Sequence, residues 1–139
     1  MRRKVVVDSG VLVALFDAHD AHHARALDFM RSFRGELLTN VAVLTEVLHL
    51  LDFSVRAQRD LLSWVRAGGV TLSPLPDEDL DRIAELLEKY ADLPADFADL
   101  SLVVLCERLG IREVATVDRD FEIYRVRGGK ALRNAFFGR

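Results

Sequence analysis

The stretch KVVVDSGVLVALF, residues 4–16, sets the fold class. Val5, Val6 and Val7 are apolar and β-branched without polar alternation, as in a strand covered on both faces. Asp8 ends that run, and the apolar positions of about 10–16 suit a helix. A buried strand turning straight into a helix opens an α/β unit. VATV (114–117) reads as a second buried strand, and weaker strands fit Glu36–Leu38 and Val70–Ser73. Further helices are expected near 21–33, 41–51, 55–66, 77–91 and 95–109. Gly35, Gly68, Gly69 and Gly110 stand where helix C-caps are wanted, and Pro74, Pro76 and Pro94 fall where the periodicity changes. Strands separated by helices predict a three-layer α/β sandwich, a central, mostly parallel sheet with helices on both faces.

The chain has 139 residues, 50% hydrophobic and 29% charged, which suits a single domain over 1–139 that needs no disulfide or structural metal. Cys106, the only cysteine, lies in LSLVVLCERL and reads as a small buried hydrophobe of a cytoplasmic protein. No apolar run approaches the ~20 residues of a membrane span. The start, MRRKVVVDSG, has too short an apolar stretch for a signal peptide. Secreted, membrane and fibrous classes are excluded on this reading. Charge is uneven: residues 77–99 hold nine acids against Arg82 and Lys89, while 119–139 hold six basic residues against Asp120 and Glu122. The basic stretch hints at a polyanion, although a solvated surface would read the same.

The informative residues are acids in places where a core pattern would not put them. Asp8 ends a buried strand, at the edge where open α/β sheets bind ligands, although it or Ser9 could simply cap the next helix. Glu46 lies in VAVLTEVLHLL, a helix apolar on almost every side and so expected to be largely buried. A buried carboxylate there must be paired, protonated or bound to a cation. Asn40 is its natural N-cap, which places Glu46 six residues in, too deep for a capping box. Asp96 and Asp99 open the helix of LSLVVLCERL on one face, with Asp99 the deeper. The helix dipole alone would favour acids in that turn. Asp118 ends VATV as Asp8 ends its own strand, and Asp120 reads as the cap of the turn FEIY.

Two strand ends and two helices can bring these acids to one sheet edge. Carboxylates so gathered repel unless a divalent cation neutralises them, and an all-oxygen set suits Mg²⁺ or Mn²⁺. Such centres serve phosphodiester hydrolysis. Other constellations are weaker. His19, His22 and His23 read as exposed helix-start residues, with Asp20 available as a cap. Glu46 and His49 form a lone Glu-x-x-His where di-iron bundles need two copies, so His49 is expected in the core. A dehalogenase-like phosphatase needs an acid two residues after Asp8, where Gly10 stands. No phosphate-binding glycine loop is present.

The order VVVDSG, TEVLHLL, DLPADFADLSLVVLCERLGI and VATVDRDFEIYR resembles the PIN-domain ribonucleases, and among them the VapC-type toxins of toxin–antitoxin pairs, from Val5 to about Arg127. The resemblance implies a metal-dependent endoribonuclease that leaves 5′-phosphate and 3′-hydroxyl ends. It assigns Asp8, Glu46, Asp99 and Asp118 to the catalytic metal centre, the last often Asn in relatives, with Asp96 as an occasional extra acid. Ser9 and Thr116 stand where hydroxyls support the acids, while Gly10 replaces a commoner polar residue. A cognate antitoxin and a homodimer are implied partners. Arg119, Arg125, Arg127 and Lys130 are the first choices for RNA backbone contact. An RNA-processing nuclease outside toxin–antitoxin systems, or a PIN module that binds RNA or protein without cutting, is the alternative.

Overall fold

Val5, Val6 and Val7 are wholly buried in β1 (Lys4–Val7), the middle strand of a five-stranded parallel sheet. The structure is a computed structural model that describes residues 2–93 and 95–138; Pro94, expected at a helix start, lies outside the described residues. From β1 the chain runs through α1 (Ser9–Phe16) and α2 (His23–Ser32) to β2 (Glu36–Thr39). It continues through α3 (Val41–Leu50) and α4 (Val55–Arg66) to β3 (Thr71–Leu72). It then returns through α5 (Asp79–Lys89) and α6 (Phe97–Leu109) to β4 (Glu113–Ala115), on the other side of β1. Val5 is in register with Leu37, and Val6 with both Leu38 and Val114. The strand order is β3-β2-β1-β4-β7, so its direction reverses between β1 and β4. In parallel sheets that reversal opens a crevice at the carboxyl ends of the strands. Among the described residues six helices flank the sheet, α1 packing against α2, α3 and α4, and α5 against α6. The α/β sandwich expected from the sequence is present.

α6 is the most deeply placed helix, buried without a break from Ala98 to Cys106. Gly110, in the left-handed region at φ 68°, closes it as expected of a C-cap glycine. Its other end is tied to α3 by Asn40, which accepts from the Val43 amide at 3.0 Å and donates to Ser101 Oγ at 2.9 Å. Cys106 is buried, and burial pushes its thiol up to about 12. No helix among the described residues is long and apolar enough to cross a membrane.

Several expectations need correction. The strand expected over 114–117 ends at Ala115, because Thr116 turns its hydroxyl to the end of β1. After a 3₁₀ turn (Arg119–Glu122), β5 (Arg125–Val126) and β6 (Lys130–Ala131) form an antiparallel hairpin, and β7 (Arg133–Asn134) adds a fifth parallel strand. Two-residue strands are too short for periodicity to reveal. α3 is not largely buried: Val43 and Val47 face the core, while Val41 and Leu50 are 62% and 48% exposed. An apolar helix need not be a covered one. His49 therefore lies exposed and not in the core.

Gly10 also has a steric reason. A Cβ there would overlap Cγ2 of Val117, a stiff β-branched side chain beside the site. Gly10→Ala should cost about 1–2 kcal/mol despite its better helix propensity. In a Val117→Ala background the same change should be neutral or stabilising, a coupling that urea unfolding of the double-mutant cycle measures.

Candidate metal and active site

Asp8 follows β1 with an extended backbone and is 2% exposed. Its Oδ1 accepts the Ser9 amide at 2.7 Å, and its Oδ2 accepts the Thr116 hydroxyl at 2.9 Å. It therefore both caps α1 and faces the crevice; the two readings were never exclusive. Thr116 Oγ1 also accepts the Asp118 amide at 2.9 Å, so one hydroxyl fixes both strand-end acids. Asn134 of β7 holds Thr116 in turn, donating from Nδ2 to its carbonyl at 3.0 Å. Asp118, and not Asp120, caps the following turn: its Oδ1 accepts the Asp120 amide at 2.9 Å. The extended backbone of Asp118 places its side chain for that role.

Asp99 lies in the first turn of α6 and is 7% exposed. Asp96 is exposed and caps the helix by accepting the Asp99 amide at 2.7 Å. The cap frees the Asp99 carboxylate, whose Oδ2 accepts from the buried Tyr124 hydroxyl at 3.4 Å, its one side-chain donor among the described residues. Glu46 is half-buried, and its Oε1 accepts the Ser9 hydroxyl. Ser9 thus links Glu46 to the Asp8 carboxylate, which its amide already contacts.

Asp8, Asp99 and Asp118 each offer an oxygen, and the three lie within 4.8 Å of one another. Neither these acids nor Glu46 forms an ion pair with a described Lys, Arg or His. Burial lifts Asp8 to about 6, partly opposed by the Ser9 and Thr116 hydrogen bonds and helped by the charges of Asp118 and Glu46. Burial, then the charges of Asp8, Asp96, Asp118 and Glu46, lift Asp99 to about 9. The Tyr124 phenol is raised as well, first by burial and then by Asp99. Buried oxygens, mutual repulsion and no protein cation form a donor set that a hard divalent ion fits.

The remaining polar residues sort by geometry. Arg119 is exposed directly after Asp118, 4.0 Å from Glu122. Arg125 turns inward, its Nη1 donating to the carbonyls of Glu122, Ile123 and Tyr124. Arg127 and Lys130 stand on the β5–β6 hairpin and border a different cavity. The histidines do not gather: His19 is exposed, His22 packs edge-on against Phe136 and Phe137, and His23 Nδ1 meets the Ala14 carbonyl at 2.7 Å. Asp20 accepts the His22 amide at 2.8 Å, just ahead of α2. Tyr124 and Asn134 escaped the sequence reading. An aromatic in FEIY and an Asn in a basic tail carry no pattern that ties them to distant acids.

The raised acids give the protein without metal a defined pH response. A carboxylate with a raised folded pKa binds its proton more tightly folded than unfolded. Its contribution is full below the unfolded value near 4 and is lost as pH rises through the folded value. Stability in EDTA should therefore fall between pH 4 and 9, with Asp8 acting up to about 6 and Asp99 up to about 9. Asp99→Asn should flatten the upper part of that fall and gain about 1 kcal/mol or more at pH 7, taking one pKa unit as the smallest relief. Urea unfolding across that range measures both.

Comparison with known proteins places this geometry. The family model of the PIN domain matches residues 5–127. Ribonuclease VapC26 of Mycobacterium tuberculosis is 28% identical over 128 residues, spanning 90% of this chain and 95% of that protein. The crystal structure of M. tuberculosis VapC20, described as a sarcin–ricin loop cleaving toxin, superposes with a TM-score of 0.78 at 24% identity, covering 86% of this chain and 93% of VapC20. VapBC2 of Rickettsia felis, solved bound to a DNA fragment from its promoter, gives 0.64 at 12% identity over 94% and 98% of the two chains. With its reversal-point carboxylates and a family match over nearly its whole length, the chain belongs to the PIN-domain family.

Proposed function

We propose that the protein is a divalent-metal-dependent endoribonuclease, the toxin of a toxin–antitoxin pair. The observation that carries this reading is the convergence of Asp8, Asp99 and Asp118 at the sheet's reversal point. The name of the ribonuclease VapC26 and the cleaving role stated for VapC20 support the substrate and the reaction. Asp8, Asp99 and Asp118 would hold the ion, with Glu46 joined through Ser9 and Asp96 serving chiefly as the helix cap. Bound Mg²⁺ or Mn²⁺ supplies Lewis acidity and positive charge for hydrolysis of a phosphodiester. Thr116 and Ser9 keep the Asp8 carboxylate from rotating, and Thr116 also sets the turn that aims Asp118. Asp99 must give up its proton before it can act as a ligand, so metal affinity should rise with pH. Arg119, exposed directly after Asp118, would be the cation available to an RNA phosphate beside the acids. The expected products carry 5′-phosphate and 3′-hydroxyl ends.

An antitoxin partner is supported by the VapBC2 pair. A homodimer is supported by exposed apolar side chains at the α3–α4 corner, Leu50, Phe53 and Val55, 48–68% exposed. Phe53→Glu should shift the protein toward monomer in sedimentation equilibrium. A small DNA-binding protein encoded by the neighbouring reading frame would separate a toxin from an RNA-processing nuclease.

Cleavage of RNA by purified protein should require Mg²⁺ or Mn²⁺ and stop in EDTA. Asp8→Asn and Asp99→Asn should each lower the rate at least about 100-fold and abolish thermal stabilisation by Mn²⁺. Asp118→Asn should cost less, since Asp118 is the least buried of the three and water can more readily take the place of its lost charge. Undiminished cleavage in EDTA would sink the metal mechanism.

A further inference from the structure

A second cavity, of about 550 Å³, lies at the opposite end of α6 from the acids and opens to solvent beside the β5–β6 hairpin. Asp99 sits in the first turn of α6, whereas Cys106, Glu107 and Gly110 line this cavity. That separation is roughly 10–16 Å along the helix at 1.5 Å per residue. The charges on its wall are not balanced. Glu107 is taken up by Arg82 at 2.9 Å, and Asp79 by Arg108 at 3.2 Å. Arg112, Arg127 and Lys130 make no side-chain hydrogen bond or ion pair with any described residue, and Glu78 alone stands against them. They come from two segments far apart in sequence, Arg112 just before β4 and Arg127 and Lys130 on the β5–β6 hairpin. Three unpaired cations that converge on one concave wall form an anion site, and guanidinium groups suit phosphate oxygens.

We infer that this cavity is a second RNA-contact site, in which Arg112, Arg127 and Lys130 hold backbone phosphates of a substrate segment away from the scissile bond. The inference rests on the ribonuclease reading above for its choice of polyanion. Position favours RNA over an acidic protein segment: the chain from Asp118 leads through Arg119 and the 3₁₀ turn directly into the hairpin. Arg119 is exposed at the start of that path and Arg127 at its end, while Arg125 between them is folded back onto carbonyls, so a nucleic-acid strand would meet a cation at each end of it. The apolar wall, with Val104 and Val126, leaves room for a sugar or base between phosphates. Selection among RNAs would then depend on the shape of a longer segment and not on the acids alone.

The test compares wild type with R112A/R127A/K130A, using a labelled RNA stem-loop in EDTA so that binding is read without cleavage. All three side chains are exposed and without intramolecular partners, so the thermal midpoint should not move. The slope of log K against log salt should flatten by about 2, three phosphates at ~0.7 each. R112K/R127K, which keeps the charge, should retain most of the slope. Replacing three exposed cations of α4, as R56A/R59A/R66A, should leave the slope unchanged. With Mn²⁺, KM should rise in the cavity variant while kcat stays within about twofold. An unchanged slope, or the same loss from the α4 variant, would overturn the site. Retained RNA binding with lost antitoxin binding would overturn it too, giving this wall to a protein. If wild type cuts no RNA at all, the ribonuclease reading fails by itself, and the slope in EDTA still decides the cavity.

Discussion

One hydroxyl, that of Thr116, joins the ends of the two central strands. It donates to the Asp8 carboxylate after β1 and accepts the Asp118 amide after β4. Parallel pairing brings both strand ends to one edge, but pairing alone would leave a nearly inaccessible carboxylate without enough partners. Burying such a group is costly unless its oxygens are bonded. Thr116 and the Ser9 amide together give both Asp8 oxygens a donor. Removing the hydroxyl would strand a carboxylate oxygen and a backbone amide at once, the expensive way to lose a hydrogen bond. Among the described residues, no buried side-chain nitrogen or oxygen lacks a partner, and this junction is where that condition is hardest to meet.

The helices solve a different problem, which is to bring acids from distant sequence to the same edge. Asn40 caps α3 and reaches Ser101 on α6, so the helices carrying Glu46 and Asp99 are fastened beside each other at their starts. The long buried run of α6 opposes the repulsion that this fastening creates. A helix less deeply packed would relieve the crowded carboxylates by shifting outward. The valines of β1 and the continuous apolar surface from Ala98 to Cys106 make that shift expensive.

Sequence reading succeeded where burial and periodicity agree. KVVV can only be a covered strand, and helix boundaries drawn from caps and glycines fell within two residues of the observed ones. That Asp8 and Asp118 come to one edge of the sheet followed from their places just beyond buried strands. It failed where apolar composition stood in for burial, as in α3, whose Val41, Leu50 and neighbouring Phe53 remain exposed. The short strands after Asp118 left no signal because two residues cannot express a period. Arg125 has the same sequence signature as its basic neighbours, but in the fold its guanidinium turns back onto three carbonyls. Tyr124 could not be found from sequence, since its link to Asp99 is a tertiary contact across the core.

Most acids at the crevice have a local task that would explain them without chemistry. Asp8 caps α1, Asp96 caps α6, and Asp118 caps the turn that follows it. Asp99 has no such task. Its place in a first helical turn suggested service to the helix dipole, yet Asp96 already meets the need for a cap. Its carboxylate is buried, crowded by three other acids besides Asp96, and met by a single long hydrogen bond from Tyr124. A fold selected for stability alone would place an apolar residue or an amide there. The acid that the architecture needs least is therefore the strongest structural argument that this edge is built to hold a cation.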